Sequence, residues 1–307
     1  MEAVLLFRKL AGSDVEEHRV LSFRFSKESY TPYTILTARF AAPEADPAGV
    51  AEVLFYLGGK LIHHGIVDSC NVTLSGGCYT GELRSRGFTS MLRQNQIEPG
   101  LYTGISLNKL MDNMVHIPYV THENDTDETG YIYVKYGSDL WEALTAFTYK
   151  KQQTYPYIRG TNCVMMSPYP QPESFAYSNR ELLSAGAGLR LKNMVSHLHM
   201  SDISGDYGTY DLTDQSAVDR KICRHRYFEL DNQFLYQPQE ALEFRDKFAA
   251  RGWRREFCSY SGYKGEDLSD LATFGSVSAR RINAISISGS PSGITTTIST
   301  YLDRFYT

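Results

Sequence analysis

The chain has 307 residues, 42% of them hydrophobic, and a formal net charge of −4. That length exceeds what one compact core usually serves, so two or three domains are expected, and the slight acid excess argues against a general nucleic-acid binder. No window approaches the roughly 18 consecutive apolar residues of a membrane span, and the opening MEAVLLFRKL lacks the basic region and small-residue cleavage site expected of a leader. Aromatic residues make up 13%, with 22 Tyr against 2 Trp, which favours strands over a helical bundle. Cys70, Cys78, Cys163, Cys223 and Cys258 form no C-x-x-C pair, a set that fits reduced thiols.

Residues 1–87 read as a meander of short antiparallel strands. VLLFR, HRVLSFRFS and YTILTARFAA alternate or run apolar over strand lengths. VLFYLGGKLIHHGIVD is a hairpin whose Gly58-Gly59 supplies the positive φ angles of a two-residue turn, and CNVTLSGGCYTGELRSR repeats the pattern around Gly76-Gly77. So dense a meander predicts a small barrel or a strongly curved sheet. At Phe88 the period changes, with Phe88, Met91 and Leu92 on one face of a short helical turn. Past Pro99-Gly100, Ser106 is placed to cap a helix with the stripe Leu107, Leu110, Met111 and Met114. GYIYVKY is a strand, and a second helix starts at Ser138 with Trp141, Leu144 and Phe147 or Thr148 turned inward. YPYIRGTNCVMM is a hairpin around Gly160, and the prolines of SPYPQPES mark a linker.

Strands return in LRLKNMVSHLHM, DRKICRHRYFEL, REFCSYSGY and RINAISISGS. One helix interrupts them, with Pro238 in its first turn, Leu242, Arg245, Phe248 and Ala249 along a face, and Gly252 at its C-terminal end. The glycine-rich SAGAGLR and SGSPSG read as turns. In GITTTISTYLDRFY, Ile294, Thr296, Ile298, Thr300 and Leu302 share a packed face, while Thr295, Thr297 and Ser299 form a wettable one. The predicted class is α+β, mainly β: two β-rich domains, 1–87 and 173–307, flank a small α+β insert at 88–172.

Several constellations carry a hint of chemistry. DTDET (Asp125–Thr129) has the Asp-x-Asp-x-Thr spacing of haloacid-dehalogenase-like phosphatases, but His122, Glu123 and Asn124 stand where a buried apolar strand is needed. The same residues open like a calcium loop, yet its twelfth position is Tyr136, where a bidentate Glu is required. An acidic, solvated hairpin tip accounts for them. His63 and His64 are adjacent on a strand, so at most one can join a site with Cys70 and Cys78. His197-x-His199 and Cys223-x-His225 each share a strand face, but two-residue steps leave side chains about 7 Å apart, wide for a tetrahedral zinc. No G-x-S-x-G, H-E-x-x-H or phosphate-cradling G-x-x-x-x-G-K-[ST] occurs. The basic runs RKICRHR and RGWRR are expected to form ion pairs with the acids of ENDTDE or KGEDLSD. No catalytic, metal or cofactor residue is assigned. A metal-dependent hydrolase or phosphatase, and a receptor- or glycan-binding protein, stand as the alternative functions.

GELRSRGFTSMLRQNQIEPG, GSDLWEALTAFTYKKQQTYPYIRGTN, YSNREL, YGTYDLTDQ, FLYQPQEALEFRDKFAARGW and GITTTISTYLDRFY occur in this order along nearly the whole chain. The ordered set resembles the baseplate hub proteins of contractile phage tails and phage-tail-like bacteriocins, the late control protein D-like family. The resemblance implies a non-enzymatic homotrimer without cofactors, each subunit giving two tube-type β-barrel domains to a pseudo-hexameric ring. It implies as partners the tail tube or a tube-initiator protein, the central spike, baseplate wedge proteins and the tape-measure protein, with DNA at most passing through the lumen. Assembly in the bacterial cytoplasm and residence in the baseplate follow. A lumen wall should be wettable and not strongly basic, since a positive wall retains passing DNA. Within LRSRGFTSMLRQNQIEPGLYTG, Arg84, Arg86, Arg93, Gln94 and Gln96 are the candidate assembly-interface residues, at the joint between the first barrel and the insert.

Overall fold

Period-two alternation in the first strands dictates a sheet with one apolar face, and a computed structural model of the chain, describing residues 1–42, 46–114, 116–234, 237–302 and 304–305, has one. The N-terminal meander is β1 (Ala3–Lys9), β2 (Val15–Glu17), β3 (Val20–Glu28), β4 (Ile35–Ala41), β5 (Val50–Leu57), β6 (Lys60–Ser75) and β7 (Cys78–Gly87). Gly58, Gly59, Gly76 and Gly77 all have positive φ, so both expected turns form. Along β3, Phe23 and Phe25 are buried while Arg24 is exposed, as the alternation requires.

After a 3-10 turn at Phe88–Arg93 come β8 (Gly100–Ile105), α1 (Leu107–Met114), β9 (Thr121–His122), β10 (Thr129–Val134), α2 (Leu140–Gln152), β11 (Tyr157–Arg159) and β12 (Cys163–Met165). Ser106 Oγ accepts from the Lys109 amide at 3.3 Å and caps α1. Met114, expected in the stripe of α1, has a side chain outside the described ones. The second helix starts one residue later than expected, because Asp139 rather than Ser138 accepts from the Glu142 amide, at 2.8 Å. Trp141, Leu144, Phe147 and Thr148 are all buried.

The remainder is β13 (Ser174–Tyr177), β14 (Leu182–Leu189), β15 (His197–Met200), β16 (Tyr210–Thr213), α3 (Gln215–Asp219), β17 (His225–Phe228), α4 (Pro238–Ala249), β18 (Arg254–Ser261), β19 (Leu271–Phe274), β20 (Val277–Arg281), β21 (Ala284–Ser290) and β22 (Gly293–Tyr301). SAGAGLR, read as a turn, is mostly β14. Its glycines have a packing reason: a Cβ on Gly186 would lie 2.9 Å from the Phe257 ring, and one on Gly188 3.2 Å from the Arg255 side chain. LRLKNMVSHLHM is strand only from His197, and DRKICRHRYFEL only from His225. Between them Asp214 caps α3 by accepting from the Ser216 and Ala217 amides, a local competitor to strand that propensity did not register.

One eleven-stranded curled sheet runs β14-β18-β22-β21-β3-β4-β7-β6-β5-β1-β2. The β21–β3 pairing, Ser286 opposite Ser26 and Ser288 opposite Arg24, joins strands from the two ends of the sequence without a break. Its apolar face carries Leu5, Phe25, Leu36, Phe55 and Leu83 with Tyr260, Ile287 and Ile298, all at 3% exposure or less, each worth roughly 1.5–3 kcal/mol on burial. A second core surrounds α2 and takes in Leu198, Met200, Leu242 and Phe305, so β15 and α4 pack on the middle segment rather than under the sheet.

Two polar groups sit in these interiors. His63 on β6 is fully buried, with Nδ1 at 2.7 Å from Thr34 Oγ1 and Nε2 at 2.7 Å from Ser85 Oγ. Ser85 donates its own proton to the Ile66 carbonyl at 2.7 Å, so it accepts from Nε2–H, and Nδ1 accepts from Thr34. Lys27 on β3 turns inward, pairs with Asp267 and donates to the Gly160 carbonyl at 2.6 Å. Burial lowers its pKa, and Asp267 opposes that shift.

Candidate functional site

The stretch from Leu83 to Gly104 leaves the sheet at the end of β7, makes the 3-10 turn and enters β8. Arg86 and Arg84 stand on the sheet's polar face, opposite Ile35 and Thr37 of β4. Arg86 is engaged within the chain: it grips Asp68 through two bonds of 2.7 Å and lies 5.7 Å from the Tyr33 ring. With its amide oxygen turned toward this guanidinium, Gln94 accepts at 3.0 and 3.1 Å. Arg93 approaches Asp139, the cap of α2, at 3.5 Å, and the backbone of Gln96 bridges the same residue. Arg86 and Gln94 therefore join sheet to insert, while Arg93 and Gln96 brace the start of α2 within the insert. Arg84 is exposed and meets no carboxylate among the described residues.

Around Arg84 the polar face is continuous. Ser259, Thr297, Ser286, Ser26, Ile35 and Arg86 form one row across six strands; Ser261, Thr295, Ser288, Arg24, Thr37, Arg84 and Ser69 form the next. Directly paired residues share a face, so these rows expose hydroxyls side by side, and Ser259 and Thr297 bond at 2.7 Å. Arg24, Arg39 and Arg84 rise from it, with Glu82 pairing Arg39 at 3.1 Å. A concavity bounded by Arg24, Thr37, Arg39, Ser69, Asn71 and Arg84 opens on this surface. The hydroxyl face of β22 was legible from Thr295, Thr297 and Ser299; its extension across β3 and β4 was not, because the register between distant strands is invisible in sequence.

The edges of the sheet differ. β2 is three residues long and includes Glu16 and Glu17, a short charged edge. β14 is eight residues without a charge, exposed on both faces, with Leu183 at 62% and Leu189 at 65% exposure. Nothing among the described residues covers its outer side.

The catalytic-looking residues have structural partners. Asp125 accepts from Lys151 at 2.6 Å on each oxygen and lies at the start of α1, 3.4 Å from the Leu107 amide. Lys109 pairs with Glu128. His63 and His64 diverge as expected, the latter bonding Glu52 at 2.8 Å. β15 and β17 are parallel neighbours, which places His199 Nε2 3.0 Å from His225 Nδ1 and stacks His197 on His225 at 4.3 Å. His199 is held in turn by Asp211 at 2.6 Å. Among the described residues no group of three or more such side chains is arranged to hold a metal ion. The basic runs do not meet the acids expected for them. Asp267 and Asp270 pair with Lys27 and Arg159, Glu266 accepts from Tyr177 and Tyr260, and Arg224 binds backbone carbonyls.

Comparison with solved structures shows the fold of phage tail proteins. A tail protein from Neisseria meningitidis MC58 aligns with a TM-score of 0.72 at 13% identity, over 100% of this chain and 98% of that one. The 43 kDa tail protein of prophage MuSo2 from Shewanella oneidensis gives 0.72 at 14%, over 98% of each chain. An Escherichia coli type VI secretion component, itself described as structurally similar to the T4 tail proteins gp27 and gp5, gives 0.56 at 9%, over 92% of this chain and 73% of that one. No protein-family model and no curated protein matches the chain.

Proposed function

We propose that the chain is a structural baseplate hub of a contractile tail. It acts as a homotrimer that adapts a hexameric tail tube to a trimeric central spike, with wedge and tape-measure proteins as further contacts. The observation that carries this reading is the sheet itself: eleven curled strands, one hydroxyl-rich face, and a long uncharged edge at β14. A long open edge without charges is a template for another chain, and three copies joined edge to edge complete a ring. The tail-protein fold and the likeness to a secretion component related to gp27 and gp5 support it. In this reading residues 1–87, and within 173–307 the strands β14, β18, β21 and β22, are the two tube-type portions; residues 88–172 are the insert. The hydroxyl rows of β18, β21 and β22 line the lumen.

Mass photometry and negative-stain imaging of the purified chain test this. A trimer with a central hole is expected, and a monodisperse monomer at concentrations that support tail assembly refutes the reading. The two arginines separate fold from assembly. Arg84→Ala should leave stability within about 0.5 kcal/mol of the parent and lower the yield of rings or tails. Arg86→Ala should cost about 1 kcal/mol in chemical denaturation, because Asp68 and Gln94 lose their partner. Complete tails at parental yield from Arg84→Ala would remove that residue from the interface.

A further inference from the structure

A second surface, away from the sheet face, has the make-up of a peptide groove. Between α2, α4 and the segment leading into β17 lies a cleft of about 660 Å³, within the roughly 300–1,000 Å³ of ordinary ligand sites. Its floor is apolar, with Val195 and Leu198 buried beneath the half-buried Phe228, Phe244 and Phe248. Its walls carry five cations and a single acid, Glu142. Two of the cations have carboxylates: Arg245 bonds Asp231 at 2.7 Å, and Arg93 stands near Asp139. The other three have none among the described residues. Arg224 is fixed by the carbonyl oxygens of Leu191, Lys192 and Met194 at 3.3, 2.5 and 3.0 Å, which orders the wall while leaving its charge uncompensated. Lys192 and Arg226 are exposed beside it. Thr145, 7% exposed on the wall from α2, has a hydroxyl with no hydrogen-bond partner among the described residues.

The aromatic floor decides which anion fits. Arg245 lies 4.2 Å over the Phe228 ring, Arg251 3.6 Å over Phe248, and Phe248 stacks between Tyr155 and Phe244 at 5.8 and 6.0 Å. With those ring faces occupied, the floor offers ring edges and methyl groups, which receive aliphatic or aromatic side chains rather than stacking nucleobases. A net charge of −4 also disfavours sequence-independent attraction of nucleic acid.

We propose that this cleft docks a short acidic, amphipathic segment of a partner polypeptide, with its apolar side chains on the phenylalanine floor and its carboxylates on Lys192, Arg224 and Arg226. The mode is that of an amphipathic helix in a groove, read by charge at the rim and by apolar contact at the base. The assignment holds whether or not the chain forms a tail ring.

The test is a displayed library of random peptides panned on the full chain, with the Lys192→Glu/Arg226→Glu double variant panned in parallel. Enrichment of peptides that combine Asp or Glu with Leu or Phe is expected. Fluorescence anisotropy of the enriched peptides should then show affinity falling about tenfold or more on the double variant. Both positions are exposed, and circular dichroism checks that the fold is kept; if it is not, Lys192→Gln and Arg226→Gln replace them. No enrichment, enrichment of neutral or basic peptides, equal affinity for parent and variant, or tighter binding of a short DNA duplex each overturns the proposal.

Discussion

Replacing His63 with glutamine is expected to flatten the acid sensitivity of the chain. Burial, with a smaller push from neighbouring His64, drives the His63 pKa from 6.5 down to about 3. The sign follows from proton uptake. Below pH 6.5 the unfolded chain takes a proton that the folded chain refuses, because both ring nitrogens are committed to Thr34 and Ser85. Stability that is fully present above pH 6.5 is therefore lost as the pH falls toward 3. Between pH 7 and pH 4 that loss is about 3 kcal/mol, a large fraction of ordinary domain stability. Urea denaturation of parent and His63→Gln at pH 7, 6, 5 and 4 measures it directly. The variant starts lower at pH 7, since glutamine fills less of the buried ring's volume, but its stability should fall by about 3 kcal/mol less over the series. Parallel curves for the two chains would mean that His63 takes up a proton in the folded state.

Lys27→Ala is the second change with a large expected cost, about 3–5 kcal/mol. The lysine is 5% exposed and Asp267 lies at the base of the loop before β19. Removing the ammonium leaves a half-buried carboxylate whose remaining donors are the amides of Gly160 and Leu268, each at 2.7 Å. The pair also ties three parts together, because Lys27 comes from β3, Gly160 from the β11–β12 hairpin and Asp267 from the loop. Lys27→Met combined with Asp267→Asn removes both charges and keeps an apolar stem. It should recover most of the loss, since an uncompensated buried charge costs more than the pair contributes. If the double change is no better than Lys27→Ala, the cost is a packing defect and not electrostatic.

Much of the fold was readable because its signals are local. The alternation of Phe23, Arg24 and Phe25, the glycine pairs at 58–59 and 76–77, and the inward stripe of Trp141, Leu144 and Phe147 each fix an element within a few residues. What escaped depends on distance. β14 reads as a turn until Phe257 and Arg255 are known to lie across Gly186 and Gly188. The parity of Lys27 with Phe25 puts it on the buried face, but nothing local names Asp267 as its partner. Of the interface candidates, neither contact follows from local signals: the register set by Gly76-Gly77 puts Asp68 opposite Ser85, and only the bulge between Val67 and Ser69 brings it to Arg86, while the bridge from Gln96 to Asp139 spans the insert. The ion pairs expected of RKICRHR failed for the same reason: charge patterns show that a cation needs a partner, not which one.

The pairing of β3 with β21 also constrains the order in which the chain can fold. Lys27 and Asp267 are 240 residues apart, and at roughly 5–20 residues per second a ribosome takes roughly 10–50 s to make the intervening chain. During that interval β3 has a neighbour on only one side, and its inward lysine lacks its counter-ion. Contacts of such long sequence separation are slow to form even after synthesis, so the half-built sheet is the species most exposed to mispairing with other nascent copies. Expression with abundant holdase chaperones should therefore raise the soluble yield by shielding β3 until β21 arrives.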